Sequence, residues 1–140
     1  MNKILFAISL LVFASCSNTT SNRDQLERDE HRQSIRKNLA LDNGSRWQLD
    51  QHTRQNIIDM KSLLHRADAT NFLSVTTLLR AKTDELVQEC QMKGPGHDVL
   101  HAWLETFMED QKLVNNPEME PEKVLAFLRA DLKEFDAYFS

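Results

Sequence analysis

From Asp50 onward one pattern repeats: apolar residues return every three or four positions, with charged and amide side chains between them. That is the period of an amphipathic α-helix with one buried face. The first such stretch runs from about Asp50 to Arg66 and places Ile57, Met60, Leu63 and Leu64 on one side. Asp50 is positioned to cap it, and Trp47 or Leu49 to close its start. The second, from about Thr70 to Met92, carries Phe72, Val75, Leu79, Leu86 and Cys90, and Lys93-Gly94-Pro95-Gly96 ends it. A third runs from about His97 to Leu113 through Leu100, Trp103, Leu104 and Phe107, and Asn115-Asn116-Pro117 interrupts it. The fourth spans about Glu120 to Tyr138 through Val124, Leu128, Leu132 and Phe135.

Ahead of these helices the period changes. Leu39, Leu41, Trp47 and Leu49 alternate with polar residues around Asn43-Gly44, two residues that tolerate positive φ. This is the pattern of a short β-hairpin, or of a loop that leads into a helix cap. The expected fold is therefore all-α: an antiparallel up-down four-helix bundle preceded by a short β-hairpin or loop and a polar tether. Only three Gly and three Pro occur, too few for the many turns of a sandwich or barrel. Many four-helix folds share this pattern without sharing a function.

The first 38 residues read differently. Lys3, the apolar run Ile4 to Phe13 and the small residues Ala14 and Ser15 have the organisation of a secretory signal peptide. The run is too short to span a bilayer, which takes about 20 apolar residues. Phe13-Ala14-Ser15-Cys16 resembles the lipobox of bacterial lipoproteins, with Phe13 where Leu is more usual. The resemblance implies cleavage before Cys16 and transfer of a diacylglycerol to its thiol. Ser17 after it resembles the outer-membrane sorting pattern of enteric lipoproteins. Residues 17–22 are small and polar, as in a flexible tether. Arg23 to Asn38 is densely charged, with Leu26 and Ile35 as apolar anchors, and reads as a solvated helix or a disordered stretch. The domain organisation is then a signal peptide at 1–15, a lipidated tether at 16–38 and a helical domain at 39–140.

Removing residues 1–15 takes away Lys3 and no acid, so one fewer than the 17 Lys and Arg stands against 21 Asp and Glu. That balance argues against nucleic acid as the main partner, since neutralising phosphates takes clustered Lys and Arg. The expected partners are the membrane, through Cys16, and an envelope protein. With Cys16 committed to lipid, Cys90 cannot form an internal disulfide, and an unpaired thiol in an oxidising compartment calls for burial, metal binding, redox chemistry or an intermolecular partner.

Cys90 opens the one constellation with chemistry, Cys90-Gln91-Met92-Lys93-Gly94-Pro95-Gly96-His97-Asp98-Val99-Leu100-His101. His97 and His101 lie one helical turn apart and roughly 40° apart around the axis, so both imidazoles face one side. In an antiparallel bundle, His52, Cys90, Met92, His97, His101 and Tyr138 gather at one pole, while His65 falls at the other and His31 in the tether. Thiolate, thioether and imidazole together suit copper or zinc, and lack the carboxylates that calcium or magnesium would need. A di-iron set, a Cys-x-x-Cys-His haem motif, His-Glu-x-x-His and a Gly-x-Ser-x-Gly elbow are all missing from the sequence.

Trp47 after an Asn-Gly turn, then a helix and Cys-x-Met-Lys-Gly-Pro-Gly-His-Asp-x-Leu-His-x-Trp-Leu, resembles small exported bundle proteins of Gram-negative bacteria over roughly Leu39 to Leu113. The resemblance brings no established activity. The expectation is a lipid-anchored, periplasm-facing binding or accessory module, not an enzyme, with Cys90, Met92, His97, His101 and His52 as metal ligands for copper or zinc. The alternatives are a structural or protein-interaction lipoprotein, and a thiol-dependent redox protein using Cys90.

Overall fold

The computed structural model describes the backbone from Asn18 and the side chains from Arg23. Cys16 and the signal peptide lie outside the described residues. The fold is all-α, with helices α1 (Asn18–Arg36), α2 (Gln51–His65), α3 (Phe72–Glu89), α4 (Pro95–Lys112) and α5 (Pro121–Tyr138), and a short 3₁₀ turn at Leu113–Asn115. Among the described residues no helix is long and apolar enough to cross a membrane. The chain forms two units, residues 1–31 and 32–140. In the first, the described part is a highly charged length of α1 ending at His31. The second takes in the last turn of α1 and everything after it.

Local chemistry sets where the helices begin. Asp50 caps α2 by accepting the Thr53 backbone N–H, 2.9 Å away. Pro95 and Pro121 open α4 and α5, where a missing N–H costs nothing. Gly94, at φ 70°, makes the reversal into α4 that an L side chain would resist. Helix α2 packs on α3 and on α5, α4 packs on α5, and α3 and α4 make a lighter contact. Met60, Leu79, Leu100, Trp103, Phe107, Leu125, Leu128 and Phe135 are buried between them. Trp103 stacks on Phe107 at 5.0 Å and meets Phe135 edge-on at 4.7 Å, and Phe135 stacks on Phe139 at 4.4 Å. These are the favoured separations for aromatic pairs.

The helices run so that their ends alternate. Asp50, before α2, accepts from the backbone N–H of Gln91, just beyond α3. The indole of Trp47 lies on Gly96 in the first turn of α4. Trp47 also bridges Phe139, just beyond α5. The start of α2, the end of α3, the start of α4 and the end of α5 thus share one pole. Towards the other, Arg129 of α5 donates to the carbonyls of Leu64 and Ala67 at the end of α2, and Glu122 accepts from Ala69 N–H.

The segment before α2, expected as a short β-hairpin or a loop, takes the loop form. Asn43 and Gly44 do take positive φ, 49° and 88°, and the Asp42 and Ser45 backbones bond reciprocally across the turn. The strands, however, do not pair, and the alternating residues after the turn serve another partner. Trp47 N–H donates to Tyr138 O at 2.7 Å, Ser140 N–H to Trp47 O at 2.9 Å, and Leu49 N–H to Ser140 O at 3.1 Å. The extended segment pairs in parallel with the C-terminus, at the far end of the sequence.

Candidate functional site

Two clusters hold chemistry, and the sequence pointed to one of them. The first lies at the pole just described. Helix α3 ends because Cys90 turns to extended backbone, at ψ 124°, while its N–H still bonds Leu86 O. The chain then reverses through Gly94 and Pro95, which brings His97 back beside Cys90. Cys90 Sγ lies 3.8 Å from His97 Nδ1 and 3.9 Å from Asp50 Oδ2. The His97 and His101 rings are 4.3 Å apart between centroids and tilted by 38°. Cys90 and His97 are half-buried, and His101 is exposed.

Asp50 is the anchor of this pole. Its carboxylate accepts from Thr53 N–H, Thr53 Oγ1 and Gln91 N–H at 2.9, 2.8 and 3.1 Å. Burial works against its charge, but the hydrogen bonds from Thr53, Gln91 and His52 N–H outweigh that, and its acidity lies below the usual carboxylate range. With so many donors satisfied, Asp50 is a structural clasp between α2 and the end of α3.

The remaining expected residues divide. Met92 is half-buried, with its methyl group beside Gly96, the neighbour of His97. His52 turns outward to Glu89, Nδ1 to Oε2 at 3.6 Å, and both side chains are more than half exposed. Tyr138 reaches the pole through its carbonyl, which receives Trp47 N–H. His65 ends α2 near the opposite pole, and His31 lies in the charged part of α1. Among the described residues, no three His, Cys, Asp or Glu side chains are disposed to share one metal ion. The pole therefore offers Cys90 and His97 at close range, Met92 near by, and a second imidazole stacked behind the first.

The second cluster is a buried charge group. Asp110 of α4 is 0% exposed and Asp131 of α5 is 1% exposed, and Arg32 from the last turn of α1 pairs with both. Arg32 Nη2 donates to Asp131 Oδ1 at 2.9 Å, and its Nη1 pairs with Asp110 Oδ1. Arg36, one turn on, lies 3.6 Å from Asp131 Oδ1 and donates to Glu134 Oε2 at 2.9 Å. Burial first, and the charge of Asp110 next, push Asp131 up to about 7, with Arg32 opposing the shift. The signal was present in the helical register. Asp110 follows Phe107 by three positions and Asp131 follows Leu128 by three, so each acid falls on the buried stripe. Charge alone suggested solvent.

Open grooves flank these clusters. One, of about 330 Å³, lies between α2 and α5 and is lined by Leu64, His65, Arg129, Leu132 and Lys133 among others. Another, of about 710 Å³, runs beside His101 between α3 and α4, over Val87, Val99 and Met108. Compared with protein-family profiles, with curated proteins and with solved structures, the chain matches none.

Proposed function

We propose that this chain is a lipid-anchored module of the bacterial envelope, held through Cys16 and facing the periplasm, that binds copper(I) with Cys90 and His97 and draws on Met92 as a third ligand. The observation behind it is the 3.8 Å between Cys90 Sγ and His97 Nδ1. Metal to sulfur takes about 2.3 Å and metal to nitrogen about 2.0 Å, so one ion bonded to both would hold them at about this separation. Copper(I) fits better than zinc for two reasons. Thiolate and thioether are soft donors. Copper(I) also accepts two or three ligands, whereas structural zinc takes four, and no third His, Cys, Asp or Glu joins this pair among the described residues. His101 and His52 become positioning or rim residues in this reading.

Metal content of the protein purified from its native envelope tests the reading. Near-stoichiometric copper in the wild type, lost in Cys90→Ser, supports it. Copper at the level of the Cys90→Ser variant refutes it. The anchor is tested separately by labelled palmitate, whose incorporation should vanish in Cys16→Ser.

A second reading, contact with an envelope protein, is favoured by exposed apolar side chains on α2 and α3. Ile58, Leu73, Leu78 and Val87 are each at least half exposed. Cross-linking in cells separates the two, since this reading requires a stoichiometric protein partner and copper binding does not.

A further inference from the structure

Helices α4 and α5 each insert a carboxylate where the register calls for an apolar residue, and the last turn of α1 covers the pair. Among the described residues, the charged side chains that pair with these acids or with their partners include Arg32 and Arg36 of α1 and Glu134 of α5. If both aspartates are ionised, two negative charges at 0% and 1% exposure share Arg32 as their buried cation, while Arg36 and Glu134 stand partly in solvent. A buried imbalance of that kind is costly. Among the described residues, Asp110 Oδ2 and Asp131 Oδ2 are also buried without a hydrogen-bond partner. Two ionised carboxylates can only accept, so neither satisfies the other. One proton cures both defects: it balances the charge and gives one carboxyl the O–H that the other lacks.

We propose that the Asp110–Asp131 pair is a proton-operated latch for the end of α1, docked while the pair holds one proton and loosened when the pair gives that proton up to water. One carboxyl O–H bond breaks, its electron pair stays on the carboxylate oxygen, and a water takes the proton. The proton passes between a carboxyl Oδ2 and solvent, and Arg32 stays a cation throughout. In the docked state the covering turn keeps water from the pair, so the proton is held up to near neutral pH. The raised affinity of Asp131 for its proton agrees, with burial as its main cause. Once the turn lifts, water reaches both carboxylates and the second charge is tolerated. Docking and proton uptake are therefore linked, and rising pH weakens docking. The latch holds the turn by which the chain enters the helical unit.

Hydrogen exchange of the full chain, followed by mass spectrometry and corrected for the intrinsic pH dependence of exchange, tests this directly. Protection of amides in residues 32–40 should fall with pH above about 7, by up to tenfold per pH unit, as release of one proton requires. Asp131→Asn carries a neutral side chain at every pH and should hold that protection level across the same range. Equal protection of the wild type from about pH 5.5 to about pH 8.5 would overturn the latch. So would an Asp131→Asn variant that kept the wild-type pH profile. If that variant fails to fold, infrared spectra of the wild type still decide the matter. A buried protonated carboxyl that disappears near neutral pH is expected, and its absence at mildly acidic pH would refute the proposal.

Discussion

Trp47 and Phe139 form a parallel bridge that fastens the segment leading into α2 to the C-terminus. The pairing joins the two ends of the helical unit. Phe139 sits in the core at 1% exposure, just past the last turn of α5, and its ring stacks on Phe135. Residues at a helix end ordinarily fray. Here Phe139→Ala should cost about 3 to 5 kcal/mol, as for a central core position. Urea denaturation checks it, and a change within about 0.5 kcal/mol would show that the Phe139 ring does not hold the core together.

Gly96 is required by the same tryptophan. A Cβ at this position would lie 2.9 Å from Trp47 Cε3. Gly96→Ala should therefore destabilise by about 1 to 3 kcal/mol of overpacking, despite the better helix propensity of alanine. Combining it with Trp47→Leu should remove most of that added cost. The double-mutant cycle is the measurement, and strict additivity would contradict the contact.

Arg32 and Asp131 set the alkaline side of the stability profile. Asp131 holds its proton up to about 7 when folded and loses it near the ordinary carboxylate value of 3.8 when unfolded. Between those limits the folded state binds more protons. Its contribution is full below the unfolded value and is lost as pH rises through about 7. Wild-type stability should therefore decline towards pH 8, and Asp131→Asn should flatten that slope. Arg32→Met, which strips the docked pair of its buried cation, should cost about 3 to 5 kcal/mol below about pH 7 and less at alkaline pH, where the turn has already lifted. Thermal melts across pH test both variants, and parallel curves for wild type and Asp131→Asn would contradict the assignment.

Asp50 acts in the opposite direction. Its folded-state acidity lies below the usual value, so its contribution is present above the unfolded pKa and is lost as pH falls. Asp50→Ala removes a cap and the link to Gln91, and should cost about 1 to 2 kcal/mol at neutral pH. The difference from wild type should shrink on acidification. Exchange of the Thr53 and Gln91 amides should rise together, which separates loss of this clasp from general loosening.

The helices were legible because their faces obey one period and their ends carry ordinary caps. The expected stretch from Asp50 to Arg66 became Gln51–His65, and that from Glu120 to Tyr138 became Pro121–Tyr138. The second helix stops at Glu89, short of the expected Met92, because Gln91 N–H bonds Asp50 across the pole. The third begins at Pro95, ahead of His97, since proline is at home in a first turn. Alternation around Asn43-Gly44 fits a hairpin or a loop equally, because alternation does not say where a partner lies, and here it lies at Phe139. The gathering of Cys90, His97 and His101 followed from antiparallel connectivity. Asp110 and Asp131 escaped notice because a buried acid becomes sensible only once its counter-ion is known, and Arg32 comes from a helix with almost no apolar face.

The most direct test of the copper reading is an anaerobic titration of the full chain, with Cys16 replaced by Ser, against a competing copper(I) chelator. One equivalent should bind with a thiolate-to-copper charge-transfer band. Cys90→Ser should abolish that band, and His97→Ala should weaken binding by about tenfold or more. Binding no tighter than that of Cys90→Ser would contradict the account.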